Sequence, residues 1–497
     1  MLWSRRPRRR EPAPEGPTKG DTPMSPPRTS IRRRVRPTWT GLVAATIAIA
    51  LLAAGCGEDA DEPAPAAAPE QESTPAEPDS TPDADDTPSE DPEEAPATTA
   101  ADASDDPEEA PEPAEASLET SEPIRVGSLL DETGPLNIYG TPMADATRLA
   151  IADINAKGGV LGRQLELVAL DSKSDQNEYI AGADQLVAED LAVVHAGITS
   201  ASREAIRPTF GEAELLYFYN VLYEGGVCDR NTFVTGVVPT QQLQVLIPWA
   251  VENYGPRLYV LAADYNYGQI SADWVRHYAA EAGGEVVGED FFPLDVAEFG
   301  TTISEVQSAD PDVVVSVLVG GAHMSFYSQY AATGADIPVV STSFGLGSEQ
   351  VALDAASSEG IIVAYPYFQE LDNPTNAEFT AAWYDAFGDD YPYITDLAVY
   401  VWEGWHLWAD AVNRAGTLDR EAVIAELETG TVGFDSPKGP VTLDGPSHHL
   451  VQPVSLARAN DSNGFDVIET FENIPPSFEQ QSCDLIANPD TNEQFTP

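Results

Sequence analysis

The sequence predicts an α/β protein of two lobes, each a mostly parallel sheet flanked by helices, with the chain crossing between them several times. Three observations carry this. Short β-type runs alternate with longer helical stretches, the rhythm of βαβ units. That rhythm runs once before Gly236 and begins again after it. Asp312–Val319 is an almost unbroken valine run, as expected of a strand covered on both faces.

In order, Ile124–Leu130 reads as a strand. Met143, Ala146, Leu149, Ala150 and Ile154 then recur at helical steps until Gly158-Gly159 stops the helix. Gln164–Asp171, Leu191–His195 and Leu215–Tyr219 read as strands, with a helix over Gln176–Asp190 and another opened by the turn Thr199–Ser202. In open parallel sheets such a turn, at strand ends and a helix start, is where ligands bind. The second block predicts helices over Gln242–Tyr254, Gln269–Ala282 and Phe299–Ala309, and strands over Arg257–Ala263, Glu285–Phe292, Asp312–Val319, Ile337–Ser341 and Gly360–Ala364. Asn376–Phe387, Tyr393–Ala415 and Arg420–Glu428 read as late helices, and Gly439–Leu456 returns to strands. Helices arriving late must pack on a lobe already built, so lobe 1 is expected to comprise residues 123–239 with 371–430. Lobe 2 then comprises 240–370 with 431–475, leaving a C-terminal tail of 476–497. Several crossings of this kind make a multi-strand hinge.

Residues 1–40 carry 11 Lys and Arg, and Gly41–Gly55 is a 15-residue apolar run ahead of Cys56. This resembles a bacterial lipoprotein signal, with residues 1–55 removed and Cys56 lipidated, although Ala53 stands where such signals more often have Leu. An ordinary cleaved signal or an uncleaved anchor is the alternative, and Met24 offers a second start. From Gly57 to Glu122 there are 24 Asp and Glu and no Lys or Arg, a composition that cannot bury enough apolar surface to fold. Residues 56–122 thus read as the lipidated cysteine and a tether reaching on the order of 45 Å. The remaining residues carry 55 acidic and 14 basic side chains, which makes nucleic acid an unfit partner. Cys228 and Cys483, if exported, can form a disulfide tying the tail to the Tyr223–Cys228 loop, or remain two buried thiols. No metal-site spacing is present, and His448-His449, whose adjacent side chains point apart, reads as two polar side chains facing solvent.

Over residues 124–475 the chain resembles the extracytoplasmic solute-binding proteins of ABC importers, most of all the urea and short-chain amide group beside the hydrophobic amino-acid group. The residues that carry this are NAKGGVLGRQLELV (Asn155–Val168), TSASR (Thr199–Arg203), YEG-x₂-C (Tyr223–Cys228), VTGVVPTQQ (Val234–Gln242), DYNYG (Asp264–Gly268), VAYPYF (Val363–Phe368) and SPKGPVTLDGPSHH (Ser436–His449). The resemblance implies a type I periplasmic-binding-protein fold, a monomer without cofactor that closes on a small ligand and presents it to a permease and ATPase. It also implies ligand contacts at Ser200, Tyr219, Tyr265 and Tyr267. Ile198 and Asn220 occupy site positions where the group has an aromatic and a proline, which puts urea in doubt.

A planar amide needs flat walls and matched hydrogen bonds, which tyrosines and Ser200 supply. Tyr265 and Tyr267 are expected to face the cleft from a strand end, and Ser341 and Phe344 join the candidates by position in a turn. Thr199 and Ser202 also fit simple helix capping. Glu224 fits a loop charge, or an acceptor for the ammonium or amide N–H of a ligand; in an amino-acid site, Thr199–Ser202 with Glu224 would hold the two ends of a zwitterion. No nucleophile elbow, zinc-protease motif or phosphate loop is present, so an enzyme is not expected, while a ligand-sensing regulator remains a possible use of the same fold.

Overall fold

The computed structural model describes residues 122–497. The leader, the lipidation and the tether expected over residues 1–121, Cys56 included, lie outside the described residues.

The first block holds β1 (Ile124–Leu130), α1 (Asn137–Ala156), β2 (Leu165–Asp171), α2 (Gln176–Val187), β3 (Val194–Ala196), α3 (Ser200–Glu212), β4 (Tyr217–Tyr219), β5 (Val227–Asp229) and β6 (Thr232–Val234). The second holds α4 (Pro239–Asn253), β7 (Arg257–Ala263), α5 (Asn266–Glu281), β8 (Glu285–Phe292), α6 (Gly300–Ala309), β9 (Val313–Val317), α7 (Gly321–Thr333), β10 (Val339–Ser341), α8 (Glu349–Ala352), α9 (Ala355–Ser358) and β11 (Ile362–Tyr365). Then come α10 (Pro374–Phe387), α11 (Asp396–Ala415), α12 (Arg420–Leu427), β12 (Gly433–Ser436), β13 (Gly439–Asp444), β14 (His449–Ala459), β15 (Phe465–Ile474), α13 (Ser477–Ser482) and β16 (Asn492–Gln494).

The strands run β2-β1-β3-β4-β6-β14-β11-β10-β9-β7-β8. Pairs are parallel on either side of β14, and β11 meets β14 antiparallel. β14 is thus the seam: its start pairs with β6 and β13, and its remainder with β11 and β15. The lobe division anticipated for 431–475 needs a correction here. β12 and β13 form a hairpin on the first sheet, because β14 is long enough to serve both sheets and the hairpin pairs with its first residues. The chain crosses between sheets after β6, after β11, within β14 and after β15, where β16 returns to pair with β5.

Local chemistry accounts for the elements that position the cleft. Asp175 caps α2 by accepting from the amides of Asn177 and Glu178. Thr199 caps α3 by accepting from Ser202 N at 3.0 Å. Gly197, at φ 84°, turns the chain from β3 into α3, a conformation that favours glycine. The valines of β9 are all buried, as expected of a central strand. α4 begins at Pro239 rather than Gln242, since proline is suited to a first helical position.

Candidate functional site

A small cavity of about 40 Å³ lies where the two sheets face each other. Its first-sheet wall is Tyr139 from α1, Ile198 and Thr199 before α3, Ser200, Val221 and Leu222 after β4, and Leu397 from α11. Tyr265, Tyr267, Val319, Ser343 and Leu346 form the opposing wall. The walls meet beside it, where Gly320 N donates to Tyr139 Oη at 3.2 Å.

Ile198, Ser200, Tyr265 and Tyr267 therefore stand together as the sequence suggests. The two tyrosines reach the cleft differently from expected. α5 starts at Asn266, so Tyr265 is its N-cap residue and Tyr267 lies in its first turn. Gly268 permits this seat, because a Cβ there would fall 2.0 Å from the carbonyl oxygen of Ala263.

Four other candidates do not line the cavity. Tyr219 is buried beneath it and donates to Ile198 O at 2.8 Å, fixing the turn from behind. Asn220 points into the core: its Oδ1 meets His195 Nδ1 at 2.8 Å, and its Nδ2 donates to Thr235 Oγ1 at 2.8 Å. Ser341 organises its own turn, its hydroxyl accepting from the amides of Ser343 and Phe344. Phe344 packs against Tyr327 and Phe465. In each case a residue one or two positions further along or back does the lining. A turn alternates which side chains face the cleft, and a position is easily misjudged by one or two. Val221 and Leu222 directly follow Asn220, and Ser343 and Leu346 bracket Phe344.

Glu224 is no loop charge. Its side chain is fully buried, paired with Arg203 at 2.7 Å, and it accepts from Ser200 Oγ at 2.5 Å. The Arg203 guanidinium lies over the rings of Tyr223 at 4.6 Å and Tyr219 at 5.1 Å. His448 and His449 are buried as well, contrary to the surface reading. His448 stacks on Phe233, while His449 Nε2 meets Tyr223 Oη at 2.6 Å. Burial holds His449 down to about 4.

Most hydroxyls around the cavity are engaged elsewhere. Ser200 donates to Glu224, Ser343 to Leu318 O, and Tyr267 Oη is bonded to Thr342 Oγ1. Thr199 caps α3, and Tyr139 accepts from Gly320. Tyr265 alone among them makes no side-chain hydrogen bond to the described residues. Against these stand six aliphatic side chains: Ile198, Val221, Leu222, Val319, Leu346 and Leu397. Ser200, Tyr265 with Tyr267, and Leu397 each mark a helix N-terminus, so α3, α5 and α11 all begin at the cavity. Their unpaired N–H groups and dipoles favour an anionic group there.

With two sheets facing across a cleft and a seam strand shared between them, the sequence profile of the periplasmic binding protein family matches residues 123–464. The chain belongs to this family. Among similar periplasmic binding proteins, Leu/Ile/Val-binding protein homolog 7 of Brucella melitensis is 26% identical over 322 residues, covering 61% of this chain and 80% of that one. The leucine-, isoleucine-, valine-, threonine- and alanine-binding protein of Pseudomonas aeruginosa is 25% identical, covering 65% of this chain and 86% of its own. A solute-binding protein of an ABC transporter from Rhodopseudomonas palustris, solved with 3,4-dihydroxybenzoic acid, superposes with a TM-score of 0.64 at 21% identity, covering 72% of this chain and 99% of that one. A leucine-binding protein from Thermotoga maritima gives a TM-score of 0.61 at 19% identity, covering 70% and 99%. These two structures establish the type I periplasmic-binding-protein fold.

Cys228 and Cys483 are bonded to each other. The bond pins α13 and β16 beside the YEG segment, and Gln494 Nε2 donates to Glu224 Oε1 at 2.6 Å. Among the described residues no group of His, Cys, Asp or Glu is placed to hold a metal ion.

Proposed function

We propose that this chain is the extracytoplasmic solute-binding component of an ABC importer, a monomer tethered to the membrane through lipid on Cys56. It captures a small solute with an apolar body and a carboxylate, branched-chain amino acids first among them, and delivers it to the permease and ATPase. The observation that carries this is the cavity wall: six aliphatic side chains, mostly committed hydroxyls and three helix N-termini. A leucine-sized side chain buried against such a wall gains roughly 1.5–3 kcal/mol. Urea gains little from it, and each amide N–H left without an acceptor costs about 1–3 kcal/mol. The relatives named for leucine, isoleucine and valine support the same choice over the urea and amide group. No carboxylate lines the cavity among the described residues, which favours a plain apolar carboxylate as the second reading.

The test is a thermal-shift and calorimetric screen of the purified protein against leucine, isoleucine, valine, benzoate, urea and acetamide. A binder raises the melting temperature by mass action. Leucine and its branched relatives are expected to do so, and Tyr265→Ala to weaken them by about tenfold or more. A shift with urea or acetamide alone overturns the proposal in favour of the amide reading, and a shift with benzoate alone selects the second.

A further inference from the structure

The Glu224 carboxylate stands directly behind the wall of the cavity, and nothing in the capture of an apolar carboxylate uses it. Its side chain is fully buried, and four groups hold it. Ser200 Oγ donates to Oε2 at 2.5 Å, while Oε1 receives Arg203 Nη2 at 2.7 Å, Gln494 Nε2 at 2.6 Å and Asn266 Nδ2 at 3.3 Å. Its main-chain oxygen accepts from Trp274 Nε1 at 3.1 Å. These donors come from α3, the C-terminal strand β16, and α5 of the second lobe. So many ties prevent the carboxylate from swinging into the cavity, and whatever it does for a ligand it does through Ser200.

A serine hydroxyl has one proton and two lone pairs. With the proton committed to Glu224, Ser200 Oγ can only accept from a ligand, and the carboxylate behind it raises the negative charge on that oxygen. Ser200 is also the first residue of α3, and its backbone N–H is one of the unpaired groups at that terminus. One residue thus offers a donor and a polarised acceptor side by side. The two ends of an α-amino acid are spaced to meet such a pair.

We propose that Glu224, as a positioning residue acting through Ser200, makes this cavity recognise a ligand ammonium group and so prefer amino acids over plain carboxylates. The inference rests on the apolar-carboxylate reading above and deepens it. Arg203 gives the proposal a distinctive sign. Neutralising Glu224 leaves the buried guanidinium paired only with the partly exposed Glu204, at 2.9 Å, so its positive charge close to the site is less well compensated, which disfavours an ammonium and favours a carboxylate.

The experiment measures binding of L-leucine and of 4-methylpentanoate, which is leucine without its amino group, to the wild-type protein, Glu224→Gln, Ser200→Ala and Ser200→Thr. The wild type is expected to prefer leucine. Glu224→Gln weakens leucine by roughly tenfold to a hundredfold, the span of a charge-assisted hydrogen bond, and leaves 4-methylpentanoate unchanged or tighter. Ser200→Ala, which keeps the Arg203 pair and guards against a misfolded Glu224 variant, loses the same preference, and Ser200→Thr restores it. Equal weakening of both ligands would mean a merely structural role and overturn the inference. Binding of 4-methylpentanoate as tight as leucine by the wild type also overturns it, while leaving the carboxylate reading intact. Failure of the wild type to bind either ligand removes both.

Discussion

At the residue scale, the groups hardest to read from sequence are those whose charge is buried. Glu224, His448 and His449 look like ordinary surface polar residues, and only the folding of distant segments around them reveals their partners. Glu479 extends the point. It lies in α13, fully enclosed, and accepts from Gly226 N at 3.0 Å, and burial pushes its carboxyl up to about 7. A raised carboxyl pKa means that the folded state holds the proton more tightly than the unfolded chain. Its contribution is therefore full below the unfolded value, near 4.5, and is lost as pH rises towards 7. His195, lowered to about 3, and His449, lowered to about 4, act oppositely, losing stability as pH falls from 6.5. Comparing variants isolates the glutamate. Glu479→Gln keeps an acceptor for Gly226 but cannot ionise, so relative to wild type it should gain on the order of 2–3 kcal/mol between pH 4.5 and pH 8. Melting temperatures of both proteins at the two pH values check this, and a constant difference would show that Glu479 does not titrate in this range.

At the scale of elements, regular periodicity proved legible and context-dependent pairing did not. β7 and β8 occupy the predicted residues, and β9 lies within its valine run, because these strands carry their burial in their composition. α7 escapes notice because the glycine pair Gly320-Gly321 stands at its start and its buried face carries His323, Tyr327 and Tyr330 beside Ala322 and Phe326, so no plain apolar stripe marks it. β15 is missed because only Phe465 and Ile474 are buried, so its alternation is absent and its place comes from pairing with β14. The candidates that do line the cavity, Ile198, Ser200, Tyr265 and Tyr267, sit where motif residues open or precede helices. Val221, Leu222, Ser343 and Leu346 depend on turn geometry that one sequence does not specify, and Tyr139, Val319 and Leu397 on how distant elements pack. The tail belongs to this scale too. α13 and β16 have few residues and would not hold alone, but the disulfide closes a 255-residue separation. Cys228→Ser with Cys483→Ser is expected to cost about 2–5 kcal/mol. A lowered melting temperature, with faster amide exchange over residues 477–497, is the check; an unchanged melting temperature would assign the anchoring to β16 and its side-chain contacts.

At the scale of the whole molecule, the crossings between sheets are tied by one buried polar network. Gln241, in α4, donates to the carbonyls of Leu450 and Ile474, both at 2.8 Å, and so links two crossings. Gln452 in the seam strand donates to Gln241 Oε1 at 3.1 Å and accepts from Lys438 Nζ at 2.6 Å. Lys438 also pairs with Glu403 at 2.7 Å and lies over the ring of Tyr400, while Asp396 accepts from Tyr367 N at 2.9 Å just after β11. Burial pushes Asp396 up to about 7 in spite of Lys438 and raises Glu403 as well, so the hinge holds two buried carboxyls around one ammonium, and Asp396 is protonated in mildly acidic solution. A buried pair adds little stability over a well-packed apolar substitute, but losing one partner strands the other. Lys438→Met should therefore destabilise by about 3–5 kcal/mol, and adding Glu403→Gln should recover much of that loss. Guanidinium unfolding of the two single variants and the double variant measures the coupling. Additive losses would mean that the pair does not act as a unit, and the hinge would then owe its order to the glutamine bridges alone.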